Sequence, residues 1–103
     1  MKTPKRTFKL SAKVLVTRKE KVRGLIGNEN IYPVYFETRF GIHTFGMKQS
    51  IDVLILNNNF QIVIMKKGMK PGKIFFWNLI HFRVIELPVN YINANLFDEI
   101  DLT

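Results

Sequence analysis

Along most of the chain, short apolar runs alternate with brief polar or Gly/Asn/Pro interruptions, the rhythm of strands and turns. "AKVLVT" (12–17) alternates and is β-branched, which predicts a first strand. "TRKEKVRGLIG" (17–27) changes period. Thr17 and Glu20 have the T-x-x-E spacing of a capping box, and Val22, Leu25 and Ile26 follow at helical spacing. Gly27 and Asn28 suit a left-handed exit, so one short helix is expected over about 17–27. "PVYFE" (33–37) predicts a strand with Pro33 at its first position, where a missing donor is tolerated. "IHTFGM" (42–47) predicts a short strand ending near Gly46.

"IDVLIL" (51–56) and "FQIVIMK" (60–66) flank the asparagines 57–59 and predict a hairpin with a three-residue loop, since Asn tolerates left-handed geometry. "KKGMKPGK" (66–73) reads as a Gly/Pro loop, and "KIFFWNLI" (73–80) as either strand or loop cover. "FRVIELP" (82–88) and "DEIDL" (98–102) read as the last strands. Residues 51–56 and 82–87 are apolar on both alternating sets, the mark of strands covered on both sides. The fold expected is mainly β: a compact antiparallel or mixed β-sandwich or barrel-like domain with one short N-terminal helix.

At 103 residues the chain makes one domain and buries roughly 65% of the surface its unfolded form exposes, enough for a core without staples. Charge subdivides it. Residues 1–23 carry nine Lys or Arg against Glu20, whereas residues 24–103 carry seven of each sign. The reading is a basic N-terminal arm (1–11) followed by a single β domain (12–103), with the basicity concentrated at the start. Cysteine is absent, which excludes disulfides, a thiol nucleophile and Cys-based zinc. The start lacks an apolar h-region, and the longest apolar runs fall far short of the ~20 residues that span a bilayer. A soluble, cytoplasmic protein with no membrane partner is expected.

"RGLIG", "RFGIHTFGMKQSIDVLIL", "KPGKI" and "VIELPVNYI…DEIDL" stand in an order that resembles a widespread prokaryotic family, the domain-of-unknown-function family number 192. The resemblance covers roughly residues 12–102. Its most specific part runs from Phe45-Gly46-Met47-Lys48 to Asp52-Val53, with Glu86-Leu87-Pro88 second. Asn28 stands where the family often has Arg, Asn90 where it often has Gly, and Phe97-Asp98 where it has a Gly-Asp step. Asn reaches the same positive-φ region as Gly, so the turn at Asn90 should survive. The resemblance implies a compact, mainly β domain with a small helix near the N-terminus, and it implies no agreed activity.

The candidate site residues are Asp52, His43, Arg39, Lys48, Trp77 and Glu86. Asp52 sits in a strand among Ile51, Val53 and Leu54, where an ionised carboxylate needs compensation. It is either a ligand-binding or general-base carboxylate, or a structural acceptor for backbone N–H groups or for Lys48 or Arg39. Glu86 shares an alternating set with Phe82 and Val84; it either meets Asp52 as an acid/base pair or makes a salt bridge to Arg83, Arg39 or the arm. His43 and His81 lack metal-ligand spacing, and neither Ser11 nor Ser50 lies in a nucleophile motif. No metal and no cofactor are expected. Lys66, Lys67, Lys70 and Lys73 surround two glycines and could hold an anion, or simply face solvent. Phe75, Phe76 and Trp77 cannot all bury on an alternating strand, so part of that run lines a groove or a contact.

These features favour a binding module for a small molecule or protein partner, monomeric or dimeric, through a cleft near Asp52. The alternatives are weak, salt-sensitive nucleic-acid binding through the basic arm and an enzyme using Asp52 and Glu86.

Overall fold

The computed structural model describes residues 6–17, 20–21, 25–27, 30–39, 41–78 and 80–103. The run IDVLIL forms β5 (Ile51–Leu56), in which every residue is buried, as expected of a strand apolar on both faces. It lies between β8 (Arg83–Pro88) and β6 (Ile62–Met69) in a five-stranded sheet. Beyond β8 come β3 (Val34–Glu37) and the two-residue edge strand β2 (Lys13–Val14). The order is β2-β3-β8-β5-β6, antiparallel except for the parallel β2–β3 pair.

Two ribbons complete the described strands. Parallel β1 (Thr7–Leu10) and β9 (Glu99–Leu102) form one, and antiparallel β4 (Ile42–His43) and β7 (Ile74–Phe75) form the other. Each covers one face of the central sheet, as the period of two along the strands requires. Val34, Phe36, Ile51, Val53, Ile55 and Val84 share one core with Ile42, Met47, Leu15 and Leu25, against which Phe75 and Trp77 pack. Tyr35, Leu54, Leu56, Ile85 and Leu87 share the other with Leu10, Ala94 and Ile100. The domain is therefore mainly β, with mixed and antiparallel sheets.

Several sequence expectations shift by a few residues. The capping box is present: Thr17 Oγ1 accepts from the Glu20 N–H at 3.1 Å, and Glu20 Oε1 accepts from the Thr17 N–H at 3.0 Å. Gly27 takes φ +81°, the left-handed exit expected there. Of the helix expected between them, residues 18–19 and 22–24 lie outside the described residues, as does Asn28. The β5–β6 turn is Asn58-Asn59-Phe60, one residue later than expected. Asn57 stays at the strand end because its Oδ1 accepts from the N–H groups of Asn59 (2.9 Å) and Gln61 (3.0 Å). Phe60 thus takes the left-handed position, φ +59°, held by its stack on Tyr35 at 6.0 Å.

The run 73–80 divides: Ile74 and Phe75 pair with β4, and the rest is loop cover. Thr7–Leu10, inside the segment set apart as an arm, form a strand because Phe8 and Leu10 alternate inward onto the second core. Asn90 takes φ +60°, the left-handed turn expected there, and Phe97 also takes a positive φ, +70°.

Candidate functional site

Asp52 lies at a break in the β5–β6 ladder. Ile51 pairs with Met69 and Val53 with Lys66, so Asp52 alone faces Lys67 and Gly68, the geometry of a β-bulge. Gly68 takes φ +61° there, which a side chain would resist. The bulge releases the Gly68 N–H from the ladder, and Asp52 Oδ1 accepts it at 2.8 Å. Oδ2 accepts from Lys67 Nζ at 2.6 Å and from the Asn90 N–H at 3.0 Å. One carboxylate thus ties the β6 bulge to the turn after β8. Burial works to raise its pKa, but Lys67 and the two N–H donors outweigh burial and hold the carboxyl below the ordinary aspartate value. The cation beside it is Lys67.

Glu86 has the opposite environment. It is 5% exposed and has no hydrogen bond or ion pair among the described residues. Burial pushes its pKa up to about 7. Its register partners are Val34 on one side and Val53 on the other, so it points to the face covered by the β4–β7 ribbon. Asp52 pairs with Leu87, whose side chain belongs to the other core. The two carboxylates therefore lie on opposite faces of the central sheet and do not form an acid/base pair. Arg83, one expected partner of Glu86, instead lies over the rings of Phe82 (4.5 Å) and Phe60 (5.1 Å) and donates to Asn58 Oδ1 at 2.8 Å.

Of the remaining candidates, His43 lies in β4 and Trp77 just after β7, while Arg39 follows β3 and Lys48 precedes β5. His43 pairs with Ile74 on its outer side, stacks on Phe45 at 5.0 Å, and accepts the Phe45 N–H on Nδ1 at 3.3 Å. Trp77 packs on the inner core, 5.6 Å from Phe75, and its indole N–H donates to the His81 carbonyl at 2.7 Å. The Arg39 guanidinium lies 4.5 Å from the Phe82 ring centre, and Lys48 is exposed just past Met47.

Between these elements sits Thr44, fully buried. Its Oγ1 donates to the Lys70 carbonyl at 2.6 Å and accepts from the Lys73 N–H at 2.9 Å. Its own N–H donates to the Lys73 carbonyl at 2.8 Å, and its carbonyl accepts from Gly72 at 2.9 Å. This clasp fixes the Lys70-Pro71-Gly72-Lys73 turn. Sequence reasoning passed over Thr44, because a lone Thr between His and Phe carries no motif. It also passed over Asn90 as a donor and Lys67 as the partner of Asp52; Gly68 inside a strand pattern was the available signal for the bulge.

A third buried acid, Asp98, was not singled out. It accepts from the Asn95 N–H at 2.8 Å and pairs with Arg6 at 3.3 Å, while its Oδ1 has no partner. A hollow of about 440 Å³ opens nearby between the β5–β6 turn and β9, lined by Asn58, Asn59, Phe60 and residues 99–102. None of the six candidates lines it. The described residues contain no group of three or more His, Cys, Asp or Glu placed to hold a metal, and no helix among them is long and apolar enough to cross a membrane.

Fold and site together define a small three-layer β domain in which polar clusters serve to join strands to turns. Over 97% of its length the chain is 34% identical to a UPF0127 protein of Thermococcus sibiricus, of which it covers 71%. The chain belongs to the UPF0127 family, a family of uncharacterised proteins. No family model matches it, and no solved structure matches it.

Proposed function

We propose that the chain is a small binding module whose contact surface is the side of the molecule built on the β4–β7 ribbon, with Arg39, His43, Lys48 and Trp77 as its polar and aromatic contacts. The observation that carries this reading is a stretch in which exposed apolar side chains coincide with a lack of exposed acids. Between Glu37 and Glu86 the only acid is Asp52, which is buried against Lys67, and this stretch supplies the exposed Phe45, Ile74, Phe76 and Ile80. Asp52 serves the surface from a distance, as the residue that positions the β6 bulge leading into the 70–73 turn. Glu86 lies beneath the ribbon as a buried acid.

Nucleic-acid binding through the basic arm is less well supported, because Arg6 is engaged with Asp98 and with the Asn93 carbonyl at 2.8 Å. The test is an amide chemical-shift screen of the full chain against metabolites, sugars and peptides. Ligands are expected to perturb residues 41–48 and 73–78. Perturbation confined to the hollow at Asn58 and Glu99, or to residues 6–13, would remove the reading. Asp52→Asn is expected to lower stability while leaving the affinity of any ligand so found within about twofold.

A further inference from the structure

The outer face of the β4–β7 ribbon is apolar, and in the stretch 38–85 that supplies it the one acid is Asp52, buried against Lys67. Ile42 and Phe75 point inward, so His43 and Ile74, their neighbours in the register, point outward. Phe45 stacks on His43, and the Phe76 ring lies over Gly41, where an added Cβ would stand 2.7 Å from it. Phe45, Ile74, Phe76 and Ile80 are 49%, 54%, 70% and 75% exposed. Side chains left this exposed add little burial to the fold, so they are available to a partner.

The cations of residues 66–83 divide into engaged and available groups. Lys67 is bonded to Asp52, Lys66 Nζ lies 6.0 Å from the Phe75 ring, and Arg83 stacks on Phe82. Lys70 and Lys73 are exposed and have no carboxylate partner among the described residues. Their backbone is held by buried Thr44, so the two ammonium groups are presented from a fixed turn. A partner finding its place here loses little freedom on the protein's side, which is the benefit of preorganisation.

We propose that this face docks an acidic, extended segment of another protein, its apolar side chains on Phe45, Ile74 and Phe76 and its carboxylates on Lys70 and Lys73. The proposal rests on the binding-module reading and names its partner. Charge complementarity selects an acidic occupant. The exposed apolar row selects against a small free anion, which would use the lysines alone. Both His43/Phe45 and Ile74/Phe76 are spaced i, i+2, the repeat of an extended chain with alternating side chains. A single-stranded nucleic acid would stack on the aromatic rings but gain nothing comparable from Ile74 and Ile80.

The probe is a short acetylated, amidated peptide alternating Glu with Phe and Leu, titrated into the full chain by amide chemical shifts and by Trp77 fluorescence. The comparison peptide has Gln in place of every Glu. Expected are shifts at residues 41–46 and 70–77, at least tenfold weaker binding of the Gln peptide, and a loss of at least tenfold on Lys70→Glu/Lys73→Glu or on Ile74→Thr/Phe76→Thr. Unchanged melting temperatures show that the variants fold. Equal binding of both peptides, or shifts confined to the basic arm, overturns the acidic-segment assignment. So does tighter binding of phosphatidylglycerol vesicles or oligothymidylate at the ribbon, or self-association of the chain in sedimentation that the same variants abolish. Those outcomes in which the ribbon itself responds leave the binding surface standing. Absence of any ribbon shift with every probe removes both the assignment and the surface.

Discussion

The two faces of the central sheet each bury a carboxylate, and they treat it in opposite ways. On the face shared with the β1–β9 ribbon, Asp52 accepts three donors and is held ionised. On the face under the β4–β7 ribbon, Glu86 accepts none among the described residues, and its pKa rises to about 7. The ribbons differ in the same sense. β1–β9 carries two side-chain contacts to its acids, Arg6 to Asp98 and the Thr7 hydroxyl to Glu99 at 3.2 Å. β4–β7 leaves Lys70 and Lys73 without a carboxylate partner among the described residues, beside exposed apolar side chains. One side of the molecule is organised to close the fold, and the other keeps charge and apolar surface available.

Removing the satisfied carboxylate should have the largest effect. Asp52→Ala leaves the Gly68 and Asn90 N–H groups without their acceptor and Lys67 without its partner. Lys67 is 43% exposed and recovers some hydration, so the expected loss is about 4 kcal/mol, most of it from the two backbone donors. Urea unfolding at pH 7 measures it. Because the folded-state pKa of Asp52 is depressed, its contribution is complete at neutral pH and is lost as the pH falls through that depressed value. A loss below 1 kcal/mol would show that the bulge and the turn hold without the carboxylate.

Glu86→Gln should do the reverse. Its folded-state pKa of about 7 exceeds the ordinary 4.5, so the native state is most favoured where both states are protonated and loses that advantage as the pH rises toward 7. At 1.36 kcal/mol per unit the ionised group costs about 3 kcal/mol at pH 8. The variant should therefore be more stable than the parent by up to about that amount at pH 8 and indistinguishable from it at pH 4. Equal stability of the two proteins at both pH values would mean that Glu86 finds a partner or water that equalises the two environments.

The sequence carried the sheet well and the ribbons poorly. β5 and β8 were readable because six and four consecutive buried residues, respectively, leave nearly continuous apolar runs. The turn at Asn90 was readable because few residue types tolerate positive φ. The β5–β6 turn moved by one residue because a Phe, not an Asn, took the left-handed position, and only the stack on Tyr35 explains why. That Asp52 needed compensation was plain from its neighbours. That Lys67 supplied it was hidden, because the bulge that aims Lys67 back at β5 is a property of two strands. Whether Asp52 and Glu86 meet was likewise a question of register. With Asp52 opposite Leu87, parity alone separates them.

Smaller changes probe the same contrast at its edges. Asn90 gives a backbone donor to Asp52 from a left-handed conformation. Asn90→Ala should cost about 1 kcal/mol and Asn90→Gly close to nothing, since only the former adds strain at positive φ. A chemical-denaturation series would show whether the Asp52 cluster depends on that turn. If Ala and Gly behave alike, the turn is held by the carboxylate rather than by its own conformational preference.

The smallest expected effect is on the open side. Ile74 and Ile42 are both apolar residues of the same two-stranded ribbon, yet one is 54% exposed and the other 9%. Ile74→Thr keeps the β-branch that suits a strand and removes apolar surface that already faces water, so stability should change by no more than about 0.5 kcal/mol. Phe76, at 70% exposure, should behave in the same way. A cost several times larger in thermal or urea unfolding would mean that these side chains hold the ribbon onto the sheet, and the contrast between a closed and an available face would fail. A near-zero cost leaves the apolar row without a role in folding, which is the condition a docking surface must meet.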